Sequence, residues 1–265
     1  MDDIFYKNFI KNLLKTSKLG YGFVVRGAES GENFEHIYDN RPQGSFVIGR
    51  YVDRALLNLT AVKSTRQRKE DIKEVLWNEI YNNKFRKNKT KVLDLASGGA
   101  RYIREFMQEH RDGLVESVCI DRDRLCVQMG RSLSEKEGLE NIRFIRGNVF
   151  RLNHLNRLSS QLFWKPNVVI ASGFFLYFNN DAVEKMIREI YQFINDNDML
   201  IFSSYEHLTT KKLMRKAMST SDGKEWILYY RKPEYWRNLL HLTGFKEIYI
   251  KRDQWKMNNI CWARK

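Results

Sequence analysis

The sequence offers little sulfur or imidazole chemistry. Three of its 265 residues are cysteine, Cys119, Cys126 and Cys261, and no two are spaced CxxC. That excludes a disulfide framework and a thiolate zinc site. Such isolated thiols suit a reducing cytoplasm, where they pack as small apolar side chains. The five histidines are scattered without an HxxxH pair, so no metal is expected. Long apolar runs are missing too. The longest, Val168 to Phe178, falls well short of the roughly 20 residues that cross a bilayer. Asp2, Asp3, Lys7 and Lys11 interrupt the N-terminus where a secretion signal would stay apolar. The expectation is a soluble, cytoplasmic protein.

Acids are in short supply as well: 32 Asp and Glu stand against 46 Lys and Arg, for a net charge of +14. The excess implies an acidic partner, whether a charged metabolite, an anionic membrane face or nucleic acid. A hydrophobic fraction of 43% with 13% aromatics excludes disorder. The length allows one α/β domain over 89–265, preceded by a helical extension or lid over 1–88.

What is present is organised around Lys91 to Tyr102. Val92, Leu93, Leu95 and Ala96 form the short apolar run of a strand buried on both faces, and Ser97-Gly98-Gly99 breaks it before a helical pattern. Such a turn lets a ligand meet bare backbone, and the helix start offers unpaired N–H groups to an anionic group. Asp94, near the strand end, can accept from ligand donors. A second strand, Val115 to Asp121, ends in an acid 23 residues after Gly98. That is close to the separation of about 20 residues at which a carboxylate meets ribose hydroxyls in βαβ nucleotide sites.

Before this core, Ile4, Phe5, Phe9, Ile10, Leu13 and Leu14 recur at helical spacing, with Lys7, Lys11, Lys15 and Lys18 opposite. The helix is either a brace on its own domain or a contact with an anionic membrane surface. Gly20, Gly22, Gly27 and Gly31 predict a flexible connection. The segment Tyr38 to Gly44 predicts a turn, followed by a helix with Val47, Ile48, Tyr51, Val52, Ala55, Leu56 and Leu59 on one face. Ser64 and Gln67 form a capping-box pattern that would start another helix, whose stripe is Ile72, Val75, Leu76 and Ile80. Lys84, Arg86, Lys87, Lys89 and Lys91 read as a solvated linker or an anion contact.

After the organising turn, strands at 142–148, stopping at Gly147-Asn148, and at 168–173 and 199–204 alternate with helical stripes. This rhythm forces a parallel sheet with helices on both faces. Two last strands, 245–251 and 259–263, are joined by so short a link that they pair antiparallel. The expected fold is therefore α/β, a Rossmann-like sheet of seven strands, mostly parallel, with an antiparallel C-terminal strand. Ligands of such sheets sit beyond the carboxyl ends of the strands, which names Asp94 to Gly98, Asp121 to Asp123, Gly147 to Val149, Ser172 to Phe175 and Ser203 to His207.

The pattern Asp94-x-Ala96-x-Gly98-x-Ala100 resembles the first motif of class I S-adenosylmethionine-dependent methyltransferases, with Ala at two places where Gly is usual. Ala serves there provided the backbone does not need positive φ. The resemblance implies that S-adenosylmethionine is the cofactor, with Ala96, Ser97 and Gly98 beneath it. It also implies Asp121, beside Arg122, on the ribose; Asn148 and Val149 at the adenine; and Ser172 and Gly173 facing the methionine portion. From Tyr38 onward the chain is similar to a narrower group of bacterial methyltransferases often fused behind an α/β-hydrolase domain. That likeness rests on Tyr38-Asp39-Asn40-Arg41-Pro42, Gly98-x-x-Arg101-Tyr102, Ser172-Gly173, Asp222-Gly223, Trp226 and Gly244-Phe245. No GxSxG elbow of a hydrolase occurs in these residues.

Arg101 either meets the cofactor carboxylate or pairs with Asp94 or Glu105. Tyr205, Glu206 and His207 are the candidates for a base, with a surface cap as the alternative for His207. Tyr38 and Arg41 either close the pocket or brace a helix. Phe175 and Tyr177 either line an apolar acceptor cavity or belong to the core. The chain lacks the Asn-Pro-Pro-Tyr or Asp-Pro-Pro-Tyr of many exocyclic-amine methyltransferases and the Pro-Cys of cytosine C5 enzymes. The reading is methyl transfer to oxygen or nitrogen of a small or lipid-like molecule. An RNA methyltransferase and a non-catalytic nucleotide-binding protein are the alternatives.

Overall fold

The computed structural model describes residues 2–85, 89–149, 165–207, 220 and 226–265, without the side chains of 2–8 and 82–85. Arg86, Lys87 and Asp222-Gly223 lie outside the described residues, as do the side chains of Ile4, Phe5, Lys7 and Lys84. Packing divides the chain into two compact units, Met1–Gln67 with Leu208–Leu228, and Arg68–His207 with Tyr229–Lys265. Among the described residues no helix is long and apolar enough to cross a membrane.

The first unit is helical: α1 (Asp2–Lys15), α2 (Lys18–Tyr21) running into a π turn (Gly22–Arg26), α3 (Gly31–Asp39), α4 (Phe46–Leu57) and the start of α5 (Thr60–Phe85). The stretch from Gly20 to Gly31 is thus no flexible connection. Its glycines serve close approach instead: a Cβ on Gly22 would lie 1.8 Å from Asn33 Oδ1. Leu19, Phe23, Ile37, Leu57 and Val62 form a small core here. α4 departs from its sequence pattern. It buries Gly49, Asp53 and Leu57, and leaves Val47, Ile48 and Tyr51 exposed. The capping-box reading at Ser64 also fails, because α5 already starts at Thr60 and Ser64 is fully buried inside it.

The second unit is a seven-stranded sheet of β1 (Thr90–Leu95), β2 (Val115–Asp121), β3 (Ile142–Arg146), β4 (Val168–Ala171), β5 (Met199–Tyr205), β6 (Ile248–Arg252) and β7 (Asn258–Arg264). Their order is β3-β2-β1-β4-β5-β7-β6. The first five are parallel, β7 runs antiparallel to β5, and β6 antiparallel to β7. The order reverses at β1, which pairs with both β2 and β4, so the ligand crevice of a doubly wound sheet opens at its carboxyl end.

Helices α6 (Arg101–Glu109), α7 (Arg124–Lys136), α8 (Asn180–Phe193) and α9 (Pro233–Thr243) complete this unit. Alternate strand residues feed two cores. Leu93, Val118, Val169 and Leu200 face the side of α8 and α9, while Val92, Cys119, Ile170 and Ile201 meet α6, α7 and α5. Ile72, Val75, Leu76 and Ile80 of α5 lie in the second core, and the division of the chain by packing falls inside α5. Lys69 to Glu105 at 2.5 Å, Lys251 to Asp71 at 2.9 Å and the Arg264–Glu79 pair fasten α5 to α6 and to the hairpin strands.

Candidate active site

The turn after β1 takes an unusual path. Ala96, Gly98 and Ala100 stand at φ +54°, +55° and +50°. Only glycine enters this region without a Cβ penalty, so both alanines of the motif carry the strain that the sequence reading had made a condition of fit. Ser97 N–H donates to Ile120 O at 3.0 Å, and Ala100 N–H donates to Ser97 O at 2.9 Å, which fixes the turn before α6 begins at Arg101.

Asp121 closes the turn from the β2 side. Its Oδ2 accepts from Gly98 N–H at 2.8 Å and its Oδ1 from Asp123 N–H at 2.8 Å. A carboxylate has about four acceptor positions, so each oxygen keeps one for a ligand hydroxyl. Burial pushes this carboxyl up, against the pull of the two N–H donors. The tip of β3 is tied in by Gly147 N–H donating to Asp121 O at 2.9 Å, which brings Asn148 and Val149 to the same end of the sheet. Asn148 is exposed and Val149 buried; Arg122 is exposed, and its carbonyl accepts from Arg146.

Asp94 lies at the bottom, fully buried. Tyr102 O–H donates to its Oδ1 at 2.5 Å, and its Oδ2 has no hydrogen-bond partner. Burial, opposed by the Tyr102 hydrogen bond and reinforced by the nearby Asp121 charge, pushes this carboxyl up to about 8. Tyr102, the second residue of α6, stood in the sequence only within the Gly98-x-x-Arg101-Tyr102 likeness, with no role given to it. Arg101 Nε donates to Glu105 Oε1 at 2.6 Å along the helix.

On the β4 side, Gly173 has φ +68° and its N–H donates to Ser203 Oγ at 2.7 Å. Ser172 beside it is half-buried. A Cβ on Gly173 would lie 2.8 Å from Arg68 Nη1, so glycine lets the α5 guanidinium approach the strand tip. Phe175 lies in the aromatic core of the sheet unit. It is completely buried, with its ring 5.3 Å from Phe202 and 5.9 Å from Trp236. Tyr177 stays half-buried in a 3-10 turn.

At the end of β5, Tyr205 is buried, His207 is exposed, and Glu206 is paired with Arg252 at 3.0 Å. Burial and the neighbouring Tyr205 push the Tyr230 phenol up to about 12. Asn258 and Asn259 open β7 opposite Tyr205 and Ser204. Both carboxamides are buried with no hydrogen-bond partner on either polar atom. Sequence reading passed over them, and only their place beside the β5 tip gives them meaning. Tyr38 and Arg41 belong to the first unit. Tyr38 is half-buried against Phe34, with rings 6.4 Å apart, and Arg41 is exposed. Among the described residues no three His, Cys, Asp or Glu side chains gather as metal ligands would.

Against known proteins, residues 2–265 match the family described as Putative methyltransferase. Uncharacterized protein YnbC of Escherichia coli K12 is 25% identical over 240 residues. That covers 89% of this chain, which spans only about 40% of the length of YnbC. Among solved structures, a possible exported protein from Bordetella parapertussis superposes with a TM-score of 0.73 at 16% identity, over 96% of this chain and 85% of that one. Magnesium protoporphyrin IX methyltransferase of Synechocystis PCC 6803, with bound SAH, gives 0.56 at 13% identity over 78% and 88%. An O-methyltransferase family protein from Burkholderia thailandensis gives 0.55 at 10% over 80% and 62%. At such identities the likeness is one of fold. The match of the family across residues 2–265 goes further: this chain is a member of the family described as Putative methyltransferase.

Proposed function

We propose that the crevice at the β1–β4 switch point receives S-adenosylmethionine, and that the chain directs its methyl group to an oxygen or nitrogen of a small or lipid-like acceptor. One observation carries this reading. The Asp121 carboxylate is clamped by Gly98 N–H and Asp123 N–H so that each oxygen retains an acceptor position, the arrangement a pair of ribose hydroxyls requires. The rest of the crevice fits the same ligand. The partnerless Oδ2 of Asp94 suits an ammonium group, the first turn of α6 suits a carboxylate, and Asn148 with Val149 suits an adenine edge and face.

When bound, the sulfonium supplies an activated methyl, so the chain needs to align an acceptor and exclude water. The β5 and β7 tips supply polar groups for alignment, namely Tyr205 and Asn258, with Tyr230 of the segment before α9 close to Tyr205. Of the three base candidates, Glu206 is held in its ion pair with Arg252 and Tyr205 is buried, so His207, exposed at the strand end, is the group placed to take a proton from an acceptor hydroxyl. A cytoplasmic setting is supported by Cys119, Cys126 and Cys261, all buried and free.

Calorimetric titration with S-adenosylhomocysteine tests the reading. The Asp121→Ala variant should bind more than tenfold more weakly than the parent protein. An unchanged affinity would overturn the ribose assignment, and no binding to the parent would overturn the cofactor.

A further inference from the structure

α4 has two unlike sides. Gly49, Asp53 and Leu57 recur every fourth residue along the side it buries. Gly49 lets the helix approach the end of α1 so closely that a Cβ there would lie 2.2 Å from Thr16 O. On the opposite side Val47, Ile48 and Tyr51 are 67%, 64% and 66% exposed, and Phe46 at the helix start is 90% exposed. Phe46 also stands at φ +55°, a backbone region that bulky side chains avoid. Together these side chains present an apolar surface on the order of 500 Å², at the upper end of what soluble monomers leave uncovered.

The exposed charges of α4 itself are both basic. Arg50 and Arg54 are exposed on the flank of the apolar stripe, and the one acid of α4, Asp53, is buried. α1, which packs against α4, adds exposed Phe9, Leu13 and Lys15. An apolar stripe with an aromatic ring at its edge and guanidinium groups beside it is the composition of a helix that lies in a lipid interface. There the apolar side chains enter the acyl boundary and the arginines extend to phosphate level. A protein partner would be expected to meet Arg50 and Arg54 with acids of its own. A bilayer supplies such anions at every point of its surface, and the net charge of +14 draws the chain toward them.

We propose that the outward side of α4 docks on an anionic lipid surface through Phe46, Val47, Ile48 and Tyr51, with Arg50 and Arg54 on the phosphates. The inference stands on the first unit alone and does not depend on what the crevice binds.

Flotation of the whole protein with vesicles tests it. Phosphatidylglycerol–phosphatidylcholine vesicles at physiological ionic strength should carry the protein at least tenfold more strongly than phosphatidylcholine alone. Phe46→Ser with Ile48→Ser, and separately Arg50→Glu with Arg54→Glu, should each lower that partition at least tenfold. Unchanged far-UV circular dichroism and S-adenosylhomocysteine affinity would show these variants folded, and Tyr51→Ser offers a milder replacement should either double variant misfold. Failure of the parent protein to float would overturn the proposal. So would both double variants floating like the parent, since attraction would then come from overall charge. A parent protein that sediments as a dimer and becomes monomeric with Phe46→Ser and Ile48→Ser would also overturn it, by assigning the surface to self-association.

Discussion

Among the described residues each unit buries one aspartate completely, and the two are treated in opposite ways. Asp53, in the helical unit, accepts from Leu19 N–H and Gln43 N–H at 2.8 Å each and pairs with His36 Nε2 at 2.7 Å. Burial pushes its carboxyl up, but the hydrogen bonds from His36, Gln43 and Leu19, with the His36 charge, outweigh that and hold it below the usual range. Asp94, in the sheet unit, has Tyr102 on one oxygen and nothing on the other, and its carboxyl is pushed up to about 8. A satisfied buried carboxylate joins three helices and completes a structure. An unsatisfied one beneath the crevice of a doubly wound sheet keeps an acceptor oxygen, which the proposed function gives to the cofactor's ammonium group.

The contrast can be broken at several points. Asp53→Ala leaves His36 and two N–H groups buried without their acceptor and should cost about 3–5 kcal/mol in urea unfolding. A cost near zero would mean that water already serves those donors.

The pH dependence should run in opposite directions. Asp94 has a folded pKa above its unfolded one, so its contribution is fully present below about pH 4 and declines toward about pH 8, by at most about 1.4 kcal/mol per pH unit. The stability of the parent relative to Asp94→Asn should therefore fall across that window. Asp53, with its pKa lowered, stabilises above the unfolded carboxylate range and loses that contribution as the pH falls through its folded pKa.

At neutral pH, Asp94→Asn should leave the fold as stable as before or more so, while weakening S-adenosylhomocysteine binding about tenfold, or about 1.4 kcal/mol. Binding to the parent near pH 7 should release a proton, seen as a dependence of the calorimetric heat on the buffer's ionisation enthalpy. Equal heats in phosphate and Tris would deny that a cation settles beside Asp94. The smallest effect expected is at the strained turn, where Ala96→Gly should raise the unfolding free energy by about 1 kcal/mol. A loss instead would mean that the Ala96 methyl contributes more by packing than it costs in strain.

Much of the sheet was legible because its signals are short-range. Apolar runs closed by Asp94, Asp121 or Gly147 marked the strand ends, and the brief link before Asn258 dictated a hairpin. The side of a helix that finds a partner is not a short-range property. Stripes of equal quality on α4 and α5 met opposite fates: Ile72, Val75, Leu76 and Ile80 are buried against the sheet, whereas Val47, Ile48 and Tyr51 face outward. Periodicity shows that a helix has an apolar face, and the rest of the chain decides whether to cover it. The capping-box pattern at Ser64 misled for a related reason. Four residues of local chemistry match many helix interiors, and the observed start at Thr60 overrides them. In the crevice, residue types and spacing revealed Asp94 and Asp121, but not the φ of Ala96 and Ala100, the Tyr102 hydrogen bond eight residues along, or the partnerless carboxamides of Asn258 and Asn259. Those depend on how backbones cross in space.

The placement of β7 between β5 and β6 sets an order on assembly. As the chain emerges from a ribosome, Ile248–Arg252 has no neighbour to hold it, because the ribbon that joins it to the sheet is made after it. The parallel half can settle first, and the hairpin must then arrive as one piece, bringing Asn258 and Asn259 to the β5 tip in the same movement. Under the proposed function, the side of the crevice assigned to the acceptor is thus built after the side assigned to the cofactor.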